Sequence, residues 1–174
     1  PHSTSKRCKH TRASYQVGAL ARVNNNYDQL LPSARKAAER LGFRTPCHNP
    51  YHISTAQIVE LVHCWDNSIR MLKAMLDQYP QPEDINVCTR PGRGVASCEV
   101  PRGILFHEYK LDDQGFCREG NCVIPTGQNM ANIEDDMKAF VPQMLQEGIL
   151  PDEMKKRLLM LVRAYDPCIS CSVH

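Results

Sequence analysis

The sequence of 174 residues is 42% hydrophobic and 23% charged, with a formal net charge of +2. This composition is typical of a globular domain, and it argues against a disordered segment and against a nucleic-acid-binding surface. No apolar run approaches the roughly 18 residues that a membrane helix requires, and no signal-peptide pattern is present. We therefore expect a soluble, cytoplasmic protein that forms a single domain over residues 1–174.

Cysteine is abundant, with nine residues, an odd number. Seven of the nine are scattered singly and do not indicate a disulfide framework. In a reducing compartment such thiols usually pack as small apolar side chains, so most are expected to be buried. These seven are Cys8, Cys47, Cys64, Cys88, Cys98, Cys117 and Cys122.

The first predicted elements lie between residues 15 and 41. Residues 15–24 are mostly small or apolar and are expected to be buried. Ser33–Leu41 is predicted as a short helix, because Gly42 follows it where helices commonly end in the left-handed conformation. Two prolines between residues 45 and 51 indicate a connection.

The longest predicted helix begins at Ser54, where Gln57 completes a capping box, and ends at Pro80. Apolar residues recur along it at helical spacing, so one face is expected to be buried against other helices. In a monomer without those partners, the same face would be a large exposed apolar patch. His63 is expected to be a hydrogen-bonded packing residue and Cys64 a buried thiol, rather than ligands. The apolar positions are Ile58, Val62, Trp65, Ile69, Leu72 and Met75 or Leu76.

The middle of the chain changes to β character. Val95–Glu99 and Ile104–Leu111 are predicted as short strands separated by Pro101–Gly103. A turn at Asp112–Gly115 then predicts that Phe116–Ile124 pairs back as a hairpin.

Two helices are predicted in the last third. The first begins near Asn132, where acidic residues favour a helix N-terminus, and ends at about Gln146. The second opens with Pro151 at its first position. The predicted fold class is mainly α (α+β), a portion of a helical bundle with a small antiparallel β hairpin. The apolar face of the last helix is Met154, Leu158, Leu161, Val162 and Tyr165.

The C-terminal residues carry the most informative motif, in which Cys168, Cys171 and His174 follow one another at intervals of three. Pro167 cannot continue the preceding helix, so the thiols are expected on a turn. As zinc ligands, the three side chains are one short of a tetrahedral site. As a redox pair, the cysteines should open a helix after a strand, whereas here they follow a predicted helix. The residues alone leave both interpretations open.

Arg102 lies between Pro101 and Gly103, next to a predicted strand, which places a guanidinium on a tight backbone. The segment is either a surface turn or part of an anion-binding loop that also uses Arg90 and Arg93. Taken alone, the segment favours one of these two interpretations over an arginine with a catalytic role.

Together, four segments resemble the large subunit of nickel-iron hydrogenases in order and spacing. Residues 17–22 resemble its Val-Gly-Pro-Leu-Ala-Arg segment, with Ala19 in place of proline. Pro101–Gly103 and Pro125–Asn129 resemble its Pro-Arg-Gly and Pro-Thr-Gly-Gln-Asn motifs, and residues 163–174 resemble its C-terminal signature. The resemblance covers nearly the whole chain.

The resemblance implies a centre of one nickel and one iron bound by four thiolates, with carbon monoxide and cyanide on the iron. Cys168 matches the terminal nickel ligand, and Cys171 matches the ligand that bridges the metals. Arg102 matches the arginine over the open side of the metals. Thr126 matches a hydrogen-bond donor to cyanide, and Pro125 packs beside the iron ligands.

Two further matches concern a magnesium or ferrous ion near the C-terminus, which His174 and the Cys122 carbonyl would bind. The family's other two metal cysteines belong to an Arg-x-Cys-Gly-x-Cys motif that this sequence does not contain. The resemblance therefore implies a separate polypeptide or missing segment with the N-terminal half. It also implies an iron-sulfur small subunit, and a nicotinamide, deazaflavin or heterodisulfide-reductase module.

The activity implied is the reversible cleavage of H2 to protons and electrons. One alternative is a non-catalytic, hydrogenase-like subunit of a respiratory complex, although such relatives lack the metal thiolates. The other is a structural zinc-binding module, which would bind zinc and not nickel.

Overall fold

The computed structural model describes residues 13–78, 82–83, 88–168 and 171 of the chain. Across these ranges it has five α-helices and one three-stranded antiparallel sheet. The predicted mainly helical class with a small antiparallel β element is confirmed. The elements are α1 (Ala19–Asn26), α2 (Pro32–Arg40), α3 (Ile53–Gln78), β1 (Gly92–Val100), β2 (Gly103–Leu111), β3 (Cys117–Val123), α4 (Pro125–Gln146) and α5 (Pro151–Tyr165).

Local sequence determines the end of α2 and the start of α5. Gly42 follows α2 with a φ of 66°, and the next N–H, that of Phe43, donates to the Ala38 carbonyl at 2.9 Å. Glycine takes this left-handed conformation without a steric penalty. Pro151 occupies the first turn of α5, where its missing N–H has no intrahelical acceptor to lose. Both predictions are confirmed.

The start of α3 differs from the prediction. The helix begins at Ile53, directly after a 3₁₀ turn over Pro50–His52. The Asn49 side chain caps that turn by accepting a backbone N–H at 3.0 Å. Ser54 therefore lies inside the helix, and the capping box predicted with Gln57 is wrong. An asparagine cap further upstream replaces it.

The start of α4 also differs. The helix begins at Pro125 rather than near Asn132, so the acidic residues lie in its interior and not in its first turn. Proline at the first position presets the helical φ angle. The buried stretch Pro125–Asn129 is held by tertiary hydrogen bonds, which the helical periodicity of the sequence does not report.

The core lies among α1, α2, the first half of α3 and the C-terminal end of α5. Alanines at several of these contacts leave room for the helix axes to approach closely. The buried core residues are Ala19, Leu20, Val23, Leu30, Ala34, Ala38, Phe43, Ile53, Ala56, Val59, Leu161, Ala164 and Tyr165.

The outer half of α3 extends away from this core after Val62, which is half-buried and packs against the core. Trp65 is 69% exposed and Leu76 is 76% exposed, whereas the buried residues of the helix are Ile53, Ala56 and Val59. Beyond Val62, the described chain therefore does not bury the predicted apolar face, which forms the large exposed patch expected when partner helices are absent. No helix in the described ranges is both long enough and apolar enough to span a membrane.

The outcome for His63 and the cysteines is mixed. The Nδ1 atom of His63 accepts the Leu31 N–H at 3.2 Å, so the predicted packing role of this histidine is confirmed. The predicted burial of the single cysteines is wrong where the structure describes them, since Cys47 is half-buried and the other five are exposed. Those five are Cys64, Cys88, Cys98, Cys117 and Cys122.

The sheet has the order β1-β2-β3, with both pairs antiparallel. Val100 pairs with Gly103, so Pro101 and Arg102 form the tight turn between β1 and β2. The Asp112 carboxylate accepts the backbone N–H of Phe116 at 2.9 Å and thereby closes the predicted turn before β3. The sheet therefore presents Arg102 at one of its ends.

Candidate metal centre

Two sulfur atoms converge just beyond α5. The helix ends at Tyr165, and Asp166 takes the left-handed conformation with a φ of 47°. The Cα atoms of Cys168 and Cys171 are 5.3 Å apart, and their sulfur atoms are joined as a disulfide. Metal binding requires the reduced thiolates. The same proximity allows both thiolates, once reduced, to reach one metal centre.

Arg102 lies beside this turn. Its Nε donates to the Asp166 carbonyl oxygen at 2.8 Å and lies 2.9 Å from Asp166 Oδ2. The two side chains are 42% and 52% exposed, so the pair contributes little to stability. The contact instead orients the Arg102 side chain, because it links the β1–β2 turn to the backbone two residues before Cys168.

Thr126 contacts the same turn from α4. Its hydroxyl oxygen accepts the Cys168 N–H at 3.2 Å, and the residue is 7% exposed. Because the oxygen acts as the acceptor here, the hydroxyl proton remains able to donate to a second group. Pro125, directly before it, is buried against Gly103, where an added Cβ would lie 3.1 Å from the proline Cβ.

The carboxamides of Gln128 and Asn129 join three segments that are distant in sequence. Asn129 Oδ1 accepts the Val17 N–H at 2.9 Å, and its Nδ2 donates to the Val17 carbonyl at 3.1 Å. Gln128 Nε2 donates to the Ile104 carbonyl at 2.7 Å, and Gln128 Oε1 accepts from the Tyr15 hydroxyl at 3.3 Å. Both carboxamides are buried, and these bonds satisfy their polar atoms.

Two glycines allow the backbones at this junction to meet. A Cβ on Gly18, whose φ is 114°, would lie 2.9 Å from the Arg102 carbonyl oxygen. A Cβ on Gly103, whose φ is 147°, would collide with the Val17 side chain. Side chains at either position would therefore force the β1–β2 turn away from the start of α1.

A buried polar network supports the end of α5. The Tyr165 hydroxyl donates to Asp136 Oδ2 at 2.6 Å and accepts from Asn132 Nδ2 at 2.5 Å. Burial, with the Asp136 bond, raises the pKa of Tyr165 well above its usual range. Burial also raises the pKa of Asp136, and the bond from Tyr165 opposes that shift. The phenol therefore stays protonated and ties α5 to α4 next to Asp166.

The structure does not bring all of the predicted ligands together. His174 lies outside the described residues. The Cys122 side chain is on β3, with its sulfur 3.3 Å from His107 Nδ1 and 3.9 Å from the Tyr109 hydroxyl. Among the described residues, no cluster of three or more His, Cys, Asp or Glu side chains could hold a metal ion. Cys168 and Cys171 are thus two candidate sulfur donors, and the described residues do not complete a ligand set around them.

The described parts of the four segments that carry the resemblance therefore meet around one turn, and the sequence as a whole matches a known family. A family model described as nickel-dependent hydrogenase matches residues 2–174. The chain belongs to the nickel-dependent hydrogenase family.

Two curated hydrogenase subunits illustrate the similarity. The chain is 34% identical over 174 residues to sulfhydrogenase 1 subunit alpha of Pyrococcus furiosus, covering 99% of the chain and 40% of the relative. It is 30% identical over 172 residues to the NAD-reducing hydrogenase HoxS subunit beta of Cupriavidus necator, covering 94% of the chain and 34% of the relative. The chain thus spans between a third and two-fifths of the length of these hydrogenase subunits.

A solved hydrogenase shares the fold. The crystal structure of an NAD⁺-reducing [NiFe]-hydrogenase in the H2-reduced state superposes with a TM-score of 0.76 at 24% identity. The match covers 95% of this chain and 37% of that one. At this identity the likeness concerns the fold alone.

Sequence reasoning missed the positioning contacts of this hydrogenase segment. Asp166 has no sequence signal beyond its position before Pro167 at a predicted helix end, yet its carboxylate and carbonyl both bind Arg102. These residues are 64 positions apart, so no local pattern links them. Asn129 and Val17 each belong to a motif that the sequence analysis identified, Pro125–Asn129 and residues 17–22, but nothing in the sequence paired the two residues.

Proposed function

We propose that this chain is the C-terminal portion of the catalytic subunit of a nickel-iron hydrogenase, which interconverts H2 with protons and electrons. One observation carries the proposal: Arg102 and Thr126 both bind the backbone next to the first thiol, Arg102 at the Asp166 carbonyl and Thr126 at the Cys168 N–H. When bound, the nickel-iron centre supplies the heterolytic cleavage of H2.

Cys168 would be a terminal thiolate ligand of nickel, and Cys171 would bridge nickel and iron. Soft thiolates suit both metals. The proximity of the two sulfur atoms is compatible with a shared centre. A terminal thiolate also keeps a lone pair that can accept a proton, so Cys168 would hold the proton released during turnover.

Arg102 would supply a fixed positive charge over the metals. Its guanidinium remains protonated at any physiological pH, so it cannot act as a base there. The ion pair with Asp166 orients the planar group before substrate arrives. Preorganised charge of this kind lowers a barrier, because no reorganisation is needed when charge develops.

Thr126 and Pro125 would hold the diatomic ligands of the iron. The Thr126 hydroxyl accepts from the Cys168 N–H and keeps its proton for a cyanide nitrogen. Pro125 would pack beside the same ligands. His174 and the Cys122 carbonyl would bind a magnesium or ferrous ion, which is consistent with the nitrogen and oxygen donors that they offer.

The remaining two thiolates would come from an Arg-x-Cys-Gly-x-Cys motif, either on a separate polypeptide or in a segment outside this chain. The chain spans only 34% to 40% of the relatives described above, which supports a missing half. Electrons would leave through an iron-sulfur small subunit. The complex would be cytoplasmic, with a nicotinamide, deazaflavin or heterodisulfide-reductase module, and one relative is named as NAD-reducing.

Elemental analysis of the purified complete enzyme, combined with hydrogen uptake using an artificial electron acceptor, tests this proposal. We expect stoichiometric nickel together with hydrogen-dependent reduction of the acceptor. Zinc without nickel would instead identify a structural zinc module. A folded complex with neither metal and no activity would identify a non-catalytic, hydrogenase-like subunit.

A further inference from the structure

Arg22, on α1, is bound by acceptors from two other elements. Its Nε and NH2 atoms donate to the two Glu60 carboxylate oxygens at 2.5 and 2.8 Å, a bidentate pair with α3. Its NH1 atom donates to Glu99 Oε2 at 2.7 Å. The Arg22 and Glu60 side chains are only 19% and 22% exposed, so solvent screens this pair weakly.

The same guanidinium also holds the backbone next to the proposed catalytic arginine. NH1 donates to the Val100 carbonyl at 3.0 Å, and NH2 donates to the Pro101 carbonyl at 2.9 Å. Val100 and Pro101 are the two residues immediately before Arg102. The three nitrogens of Arg22 thus connect the β1–β2 turn to α1 and, through Glu60, to α3.

The start of α1 also contacts the turn. Gly18, the residue before α1, lies against the Arg102 carbonyl, and a Cβ there would be 2.9 Å from that oxygen. This contact, together with the hydrogen bonds from Arg22, leaves the Val100–Gly103 backbone little freedom. Beyond the turn, the Arg102 side chain reaches Asp166.

We infer that Arg22, fixed by Glu60, is a positioning residue that fixes the Val100–Gly103 turn so that Arg102 stays aligned with the Asp166–Cys168 segment. The effect on catalysis rests on the proposed hydrogenase function. The clamp itself, by which we mean the hydrogen bonds of Arg22 to Glu60, Val100 and Pro101, does not. A displacement of about 1 Å in an electrostatic catalyst can lower the rate on the order of a hundredfold. Lysine cannot reproduce the clamp, because one ammonium cannot form a bidentate pair and bind both carbonyls in one plane.

Three variants of the complete enzyme test this inference. Arg22→Lys keeps the positive charge but removes the planar guanidinium with its several donors. Glu60→Gln keeps the size of the side chain that Arg22 binds but removes its negative charge. Arg93→Lys is the matched control, since Arg93 also lies on the sheet and pairs with Glu108, 2.5 Å away, at the opposite end of β1. Amide hydrogen exchange of residues 99–104 is measured in the metal-free protein. Infrared bands of the diatomic iron ligands, kcat and KM for H2 are measured in the loaded enzyme.

We expect faster exchange at residues 99–104 in Arg22→Lys, a smaller change in Glu60→Gln and none in Arg93→Lys. With normal nickel content, Arg22→Lys should also shift the infrared bands and lower kcat roughly tenfold to a hundredfold, while KM stays nearly constant.

A lower melting temperature with unchanged exchange, infrared bands and kcat would overturn the inference, because Arg22 would then only join α1 to α3. Should Arg22→Lys fail to fold, Glu60→Gln decides by the same measurements. A parent enzyme without nickel would count against the proposed function alone. The exchange measurement would then decide whether the clamp exists.

Discussion

The turn that carries Cys168 and the outer half of α3 differ in whether their side chains find partners within this chain. Around the proposed metal-binding turn, buried side chains bind backbone groups from distant segments, as Asn129 does at Val17 and Thr126 at Cys168. Along the outer half of α3, large apolar side chains such as Trp65 and Leu76 are exposed. Specific hydrogen bonds hold the turn in place, whereas the outer half of α3 exposes apolar surface that no described part of the chain covers.

This difference predicts different consequences for mutation. Where a buried polar group loses its only partner, the cost of desolvation is no longer offset, so stability or chemistry changes within this chain. Where an exposed apolar side chain is changed, the folded chain loses little. The effect should then appear in association, because large exposed apolar patches commonly mark interfaces.

The largest effect is expected at the metal-binding turn. Cys171→Ser should abolish hydrogen uptake and leave nickel absent or loosely held, because a hydroxyl is a poor ligand for soft metals at neutral pH. Hydrogen uptake and nickel content of the purified enzyme measure this, with Cys88→Ser as the control at an exposed cysteine outside the site. Full activity with normal nickel would exclude Cys171 as a ligand.

Arg102→Lys should lower turnover by orders of magnitude while the metals stay bound. Lysine keeps the charge but lacks the planar donor that binds both the Asp166 carbonyl and carboxylate. Metal analysis and steady-state kinetics measure the two consequences separately. If the variant had the same kcat as the parent, Arg102 would be an ordinary turn residue. The contacts around the turn would then have no effect on catalysis to compare with the effect of α3 on association.

An effect on assembly is expected at α3. Expressed alone, the chain should be insoluble or poorly folded and free of nickel, whereas co-expression with the polypeptide bearing the N-terminal half and the maturation machinery should give a stable complex. Leu76→Lys should weaken that complex more than Lys73→Ala, the control substitution at a polar residue of the same helix. Size-exclusion chromatography of the co-expressed proteins measures the fraction of the chain in the complex. A soluble monomer with a sharp unfolding transition, made without any partner, would contradict this prediction.

The smallest effect is expected from Asn129→Ala, which should lower the free energy of unfolding by about 1–3 kcal/mol. The substitution leaves the N–H and carbonyl of Val17 without the carboxamide that binds both. Chemical denaturation of the assembled enzyme measures the change, with Gln143→Ala as an exposed control on the same helix. Equal stability of the two variants would show that water replaces the carboxamide.

Much of the fold follows from local sequence. Gly42 and Pro151 determine where helices end and begin through their own backbone geometry, so both boundaries could be predicted. The alternating segments and the Asp112 turn likewise indicated the antiparallel sheet. The start of α4 could not be found in this way, because tertiary hydrogen bonds from Gln128 and Asn129 hold its first turn.

Helical periodicity in α3 correctly reported an apolar face but not what covers it. Periodicity records which side chains share a face, whereas burial depends on where other elements pack. Within the described chain, Ile53, Ala56 and Val59 are the fully buried residues of this helix, and Val62 is half-buried. The exposed cysteines, including Cys64, were misjudged for the same reason, since burial follows from packing and not from residue type.

By itself, the sequence determined the family and proposed its ligands, because both depend on residue types at short, fixed spacing, as in Cys168 and Cys171. Only the tertiary structure decided which groups orient that chemistry. Arg102 meets Asp166, and Arg22 meets the carbonyls of Val100 and Pro101, across separations of more than sixty residues. Hydrogen bonds depend on distance and angle in space, and a linear spacing cannot encode them over such separations.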